Sequence, residues 1–180
     1  MKLWTTLTDA VTGWIAIAQG DPAWRGRFAL STPGLTTALA IFAFVAFLAI
    51  AFASMSIGMP SAAGVLVGMF VLALPVTALV VALVGTRIML KTGGTMLPML
   101  VPGIFLLTAF LLLEGMLAMI GGPVVMLAWL AMGYLLFQLA RLATAWSFGS
   151  SVAFAVLTVA LLVAMRLALY MLTTPAVSPV

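Results

Sequence analysis

Five stretches of this chain run for about twenty residues each with almost no charge, and a stretch of that kind has few structural solutions. A helix rises about 1.5 Å per residue, so ~20 apolar residues match the ~30 Å hydrocarbon core of a bilayer. In lipid every backbone N–H and C=O must be satisfied within the chain, and a helix does this alone. The runs lie at about 35–54, 62–84, 96–120, 124–139 and 151–172. They predict an all-α fold, a polytopic transmembrane helical bundle of five spans. Four spans are the alternative, with the fourth run lying flat or the fifth re-entrant. Composition agrees: 66% of residues are hydrophobic and 6% charged, against about 25% charged in soluble domains. Water cannot wet such a surface, and lipid can.

The few charges give the expected topology. With five spans, Lys2, Arg25, Arg27, Arg87, Lys91 and Arg141 fall on one side, and the loops of the other side hold no Lys or Arg. Basic loops stay in the cytoplasm, so the expected orientation is N-terminus inside and C-terminus outside, in a bacterial inner membrane. The net charge of +4 does not indicate nucleic-acid binding, because the basic residues form no run or face on which several phosphates could be neutralised.

Residues 1–30 read as a segment at the cytoplasmic interface, 31–172 as the five-helix transmembrane domain, and 173–180 as a short exterior tail. Within the first, residues 3–19 form an N-terminal interfacial amphipathic helix. Leu3, Trp4, Leu7, Val11, Trp14, Ile15 and Ala18 share one side, and Thr5, Thr8, Asp9 and Thr12 another. The same polar residues interrupt what a signal peptide would need as an apolar core, so no cleavage is expected at the Ala16-Ile17-Ala18 run. Trp4 and Trp14 suit the headgroup boundary, where an apolar ring and a polar N–H are both satisfied. Gly20-Asp21-Pro22 ends the helix. Trp24, Arg25 and Arg27 read as further interfacial anchors. Ser31-Thr32-Pro33 opens the first span.

Glu114 is the one acidic residue inside a span, and Arg166 the one basic residue well inside one. Intramembrane ionisable groups are costly and therefore informative. Three readings are open. Glu114 is a proton- or cation-coupled site, or it forms a structural intramembrane charge pair with Arg166, or Arg166 snorkels to the headgroups and leaves Glu114 protonated. Depth favours the pair: Glu114 stands seven residues before Gly121 and Arg166 seven before Thr173, so both lie roughly 10 Å below the ends of their helices.

Other chemistry is sparse. The chain has three acidic residues and no His or Cys, which removes disulfides, thiol nucleophiles, His acid–base work and the usual zinc sites. We expect no catalytic residues, no metal and no cofactor. Helix-packing seams are read at Gly64 and Gly68, a GxxxG in the second run, and at Ala160, Ala164 and Ala168 in the fifth. Pro33-Gly34 and Pro102-Gly103, with the Gly-Pro turns near residues 60 and 123, outline a faint internal repeat. Pro and Gly also recur wherever spans start and turn, and that reading is favoured.

The layout of a cytoplasmic N-terminal segment, five close spans and a tiny exterior tail, with Gly133-Tyr134 inside the fourth span, resembles the Yip-domain family of small membrane proteins. The acidic-Leu-Tyr-Gly-Pro signature of eukaryotic members is absent. In that family eukaryotic members are associated with membrane trafficking and bacterial ones are mostly unassigned, and the resemblance carries over no functional residue. A nearly featureless apolar bundle with an interfacial helix itself points to a non-enzymatic membrane protein. The expected function is scaffolding, assembling or modulating a membrane complex. The alternative is a small transporter or channel subunit that uses Glu114. Expected partners are membrane lipid and either another membrane protein or a second copy of the chain.

Overall fold

A computed structural model describes residues 2–57, 61–120, 124–144 and 146–173. The turn residues 58–60 and 121–123 and the tail 174–180 lie outside it, as does the side chain of Tyr170. The described residues form six α-helices and one short 3-10 helix: α1 Lys2–Gln19, the 3-10 helix Pro22–Arg27, α2 Thr32–Ile57, α3 Ala62–Leu90, α4 Leu97–Ile120, α5 Val124–Ala143 and α6 Phe148–Thr173. The last five are each long and apolar enough to cross a membrane. This is a five-span helical bundle preceded by an amphipathic helix.

Local sequence explains the helix ends. Ser31 Oγ accepts the Gly34 N–H at 3.2 Å and caps α2. Ser61 Oγ does the same for Gly64 at the start of α3. α1 ends in a Schellman turn: Asp21 N–H bonds Ala16 O and Gly20 N–H bonds Ile17 O, with Gly20 at φ +77°. α3 ends the same way, but with Lys91 at the left-handed position, φ +51°. Thr92 N–H reaches Arg87 O, and Lys91 N–H reaches Ile88 O. This turn sits later than the sequence implies. α3 runs to Leu90 instead of ending near 84, so Arg87 lies in its last turn and not in a loop. α2, α5 and α6 also exceed their apolar runs by a few residues, since polar residues at the ends extend a helix beyond the hydrocarbon, whereas α4 matches its run. Pro75 is buried inside α3 and does not end it.

α4 packs between α2 and α5, α6 packs between α5 and α3, and α3 closes the ring on α2 while also touching α4. α4 is apolar on every side, as a helix enclosed by neighbours should be. The closest approach is at Gly103, where an added Cβ would lie 2.7 Å from Leu79 Cδ2 of α3. Burial is uneven along the bundle axis. Leu79, Leu83, Val101, Ile104, Leu107, Leu136, Leu139 and Phe154 are all fully buried. Each lies in the half nearest the end that carries Arg25, Arg87, Lys91 and Arg141, hereafter the basic end, while Met132 and Leu162 are fully buried in the other half. In the opposite half of α3, residues 61–74, none is buried.

Candidate functional site

The interior face of α4 continues upward from Gly103 through Leu107 and Phe110 to Glu114, residues spaced to share one side of a helix. α6 presents Ala155, Leu162 and Arg166 in the same way. The carboxylate of Glu114 accepts two hydrogen bonds from the Arg166 guanidinium, Nη1 to Oε1 and Nη2 to Oε2, the second at 2.8 Å. This two-pronged geometry is the strongest that Arg and a carboxylate can make. Both helices pack on α5, and α5 supplies the third member. The guanidinium carbon stands 5.1 Å from the centre of the Trp129 ring, a cation–π contact. Trp129 in turn meets Phe110 edge-on, with ring centres 5.0 Å apart. The Arg166 side chain is 34% exposed and that of Glu114 18%, so the pair sits where the packed half of the bundle gives way to the looser half. The structure thus brings Glu114 and Arg166 together. Trp129 is the member that sequence reading missed. It stands five residues into α5, where a Trp reads as an ordinary interfacial residue, so the sequence carried no signal for it.

α1 does not lie free on a surface. Ala10, Gly13 and Ile17 are buried against the bundle, and Gly13 leaves room for the Phe28 ring, which an added Cβ would approach to 2.5 Å. Its Ala18 carbonyl, left over at the helix end, accepts from Tyr134 Oη at 3.3 Å, and Gln138 Nε2 backs that hydroxyl at 3.0 Å. The helix therefore has three sides. One is buried. One is polar, with Thr8, Asp9 and Thr12; Asp9 faces Arg27 at 3.7 Å. The third is apolar and open, with Trp4, Leu7, Val11 and Ile15 exposed. Beneath it, toward Thr108 and Leu112 of α4, lies an apolar groove of about 470 Å³.

The anchors divide. Trp4 is exposed as an interfacial residue should be. Trp14 is only half-buried and meets Phe28 edge-on at 6.5 Å. Trp24 corrects the reading from sequence. It is fully buried, not interfacial, and packs on Phe28, which packs on Phe105 of α4. Proline and aspartate before it form the 3-10 helix, Asp21 Oδ1 accepting the Ala23 N–H, and this turn aims the indole inward. Arg25 remains outside and donates to Leu142 O at 3.1 Å.

The packing seams also need correction. Gly68 does meet α2, at Ile50, but Gly64 is exposed. Ala160, Ala164 and Ala168 are all exposed within the chain. The tighter contact of a glycine with another span is at Gly103, which stood in the sequence as half of a Pro-Gly pair. No family model, curated protein or solved structure matches this chain.

Proposed function

We propose that this chain is a non-enzymatic integral membrane protein that scaffolds, assembles or modulates a membrane complex, with its basic end and α1 on the cytoplasmic side of a bacterial inner membrane and its C-terminus outside. The observation that carries the reading is the state of Glu114. Both carboxylate oxygens are engaged by Arg166, which in turn is engaged by Trp129. A coupling carboxyl must exchange its proton or ion with water, whereas a carboxylate held by a guanidinium fork ties helices together. The open apolar side of α1 gives the same reading a membrane-surface element. The Yip-like layout is in keeping with a protein that works through assembly.

A second reading rests on the partial exposure of the pair. Arg166 and Glu114 lie at the base of the looser half, so a transporter or channel subunit could open there. One comparison separates the two. The assembly reading expects the gently solubilised protein to migrate in a complex larger than itself, with a stoichiometric membrane partner. It also expects proteoliposomes of the purified chain to pass no protons or cations. A monomer in native membranes, together with a proton or cation flux that Glu114→Gln abolishes, overturns assembly in favour of transport. Reporter fusions at Val180 and in the 91–95 loop test the orientation, and must report opposite compartments.

A further inference from the structure

At the basic end, the last turn of α3, the loop to α4, the start of α4 and the α5–α6 loop enclose a cleft of about 470 Å³. It is separate from the Glu114 pair and from the groove under α1. Its floor is apolar, with Leu83 and Met99 both buried. Its rim is polar, with Arg87 and the hydroxyl-bearing Thr92, Thr95 and Thr144.

Two features set the charge of this cleft. Arg87 is fixed, because one Nη donates to Gly94 O across the loop. The Schellman turn at Lys91 holds Arg87 and Thr92 together, since Thr92 N–H bonds Arg87 O. One guanidinium edge is thus spent on positioning, and the remaining N–H groups are available to a ligand. Second, nothing acidic balances the charge. The chain has three acidic residues, and each is engaged elsewhere: Asp9 with Arg27, Asp21 at Ala23 N–H, and Glu114 with Arg166. Among the described residues, Arg25, Arg87, Lys91 and Arg141 meet no carboxylate. Arg25 reaches Leu142 O, one residue from the cleft wall at Ala143. The cleft therefore carries uncompensated positive charge over an apolar floor, with the Thr92 and Thr95 hydroxyls around it; the Thr144 hydroxyl is spent on Ala140 O.

We propose that this cleft binds a phosphate-bearing anion. A phosphate needs several donors converging on oxygen and a cation to neutralise it, and the guanidinium with the Thr92 and Thr95 hydroxyls provides both. The ligand can be the headgroup of an anionic phospholipid, whose glycerol end would rest on Leu83 and Met99, or a free phosphate. Basic clefts between spans are suited to lipid phosphates.

The test uses the full-length protein with Arg87→Gln, Arg87→Lys, Thr95→Val and Arg141→Gln, each first shown to give the wild-type unfolding midpoint. Arg141 is equally basic but does not line the cleft, so it controls for surface charge. In the lipid arm, native mass spectrometry compares retention of phosphatidylglycerol and phosphatidylcholine. Retention of phosphatidylglycerol is expected to fall at least tenfold in Arg87→Gln, about 1.4 kcal/mol. It should fall less in Arg87→Lys and Thr95→Val, and stay unchanged in Arg141→Gln. In the soluble arm, the protein in neutral detergent is titrated with inorganic phosphate and glycerol 3-phosphate, with Trp146 fluorescence read in a variant whose other four Trp are Phe. Saturable binding there, lost in Arg87→Gln, assigns the site to free phosphate. Equal losses in Arg87→Gln and Arg141→Gln, or no phosphate-dependent signal in either arm, overturn the proposal. If Arg87→Gln shifts the unfolding midpoint, Thr95→Val decides: an unchanged response in both arms overturns it.

Discussion

Removing one member of the Glu114–Arg166 pair should cost far more than removing both. Breaking a fully buried ion pair costs about 3–5 kcal/mol, because the survivor is stranded in a poor solvent. Here the side chains are 18% and 34% exposed, which reduces the expected loss to about 2–3 kcal/mol. Glu114→Gln keeps one carbonyl against the guanidinium and retains about 1 kcal/mol of that. Arg166→Met keeps none of it and also forfeits the contact with Trp129, worth about 1 kcal/mol. It should therefore be the worse single change. The double replacement leaves two neutral groups of similar volume and should recover most of the loss, a coupling of about 2 kcal/mol or ~30-fold in the unfolding constant. Reversible unfolding in mixed micelles or bicelles, measured on all four proteins, reads this directly. Losses that add to within ~0.5 kcal/mol would refute the reasoning, and the contact would then contribute nothing to holding α4 and α6 on α5.

Four further outcomes follow from the packing. Gly103→Val should destabilise by about 1–3 kcal/mol through overlap with Leu79, and adding Leu79→Ala should relieve part of it; the unfolding midpoint reports both. Gly34→Ala places a Cβ on the backbone oxygen of Ala29, so the protein should accumulate poorly, whereas Gly149→Ala meets nothing and should shift the midpoint by less than about 1 kcal/mol. Lys91→Gly relieves a left-handed residue and should stabilise by about 1 kcal/mol. In single-Trp variants, lipids brominated near the headgroup should quench Trp4 and spare Trp24; the reverse order would place α1 away from the bilayer.

The spans and the matched depth of Glu114 and Arg166 were legible because hydropathy and charge are local properties of a sequence. Which way a helix turns was not. α4 and α3 are apolar around their whole circumference, so no period in the sequence marks the side that meets a neighbour. Gly103 and Gly64 look alike in the sequence, yet one meets Leu79 and the other is exposed. Trp24 was misplaced for a related reason: a Trp followed by two basic residues ahead of a span has an interfacial composition, and only the fold of the Asp21–Pro22 turn sends it inward. The α6 alanines show the converse, since small residues permit close approach without requiring it.

The uneven burial along the bundle has a mechanical consequence. Close-packed side chains resist compression, so the cross-section near the basic end is stiff. In the opposite half none of α3 residues 62–74 is buried, although Met132 and Leu162 remain fully buried there, so that half is expected to yield more readily on the α3 side. Acyl-chain packing presses on a membrane protein from the side, and in this molecule such pressure should do more work in the leaflet away from the basic end. A change in lipid chain length or saturation confined to that leaflet would alter the spacing of the helix ends there, while the α1 surface kept its shape.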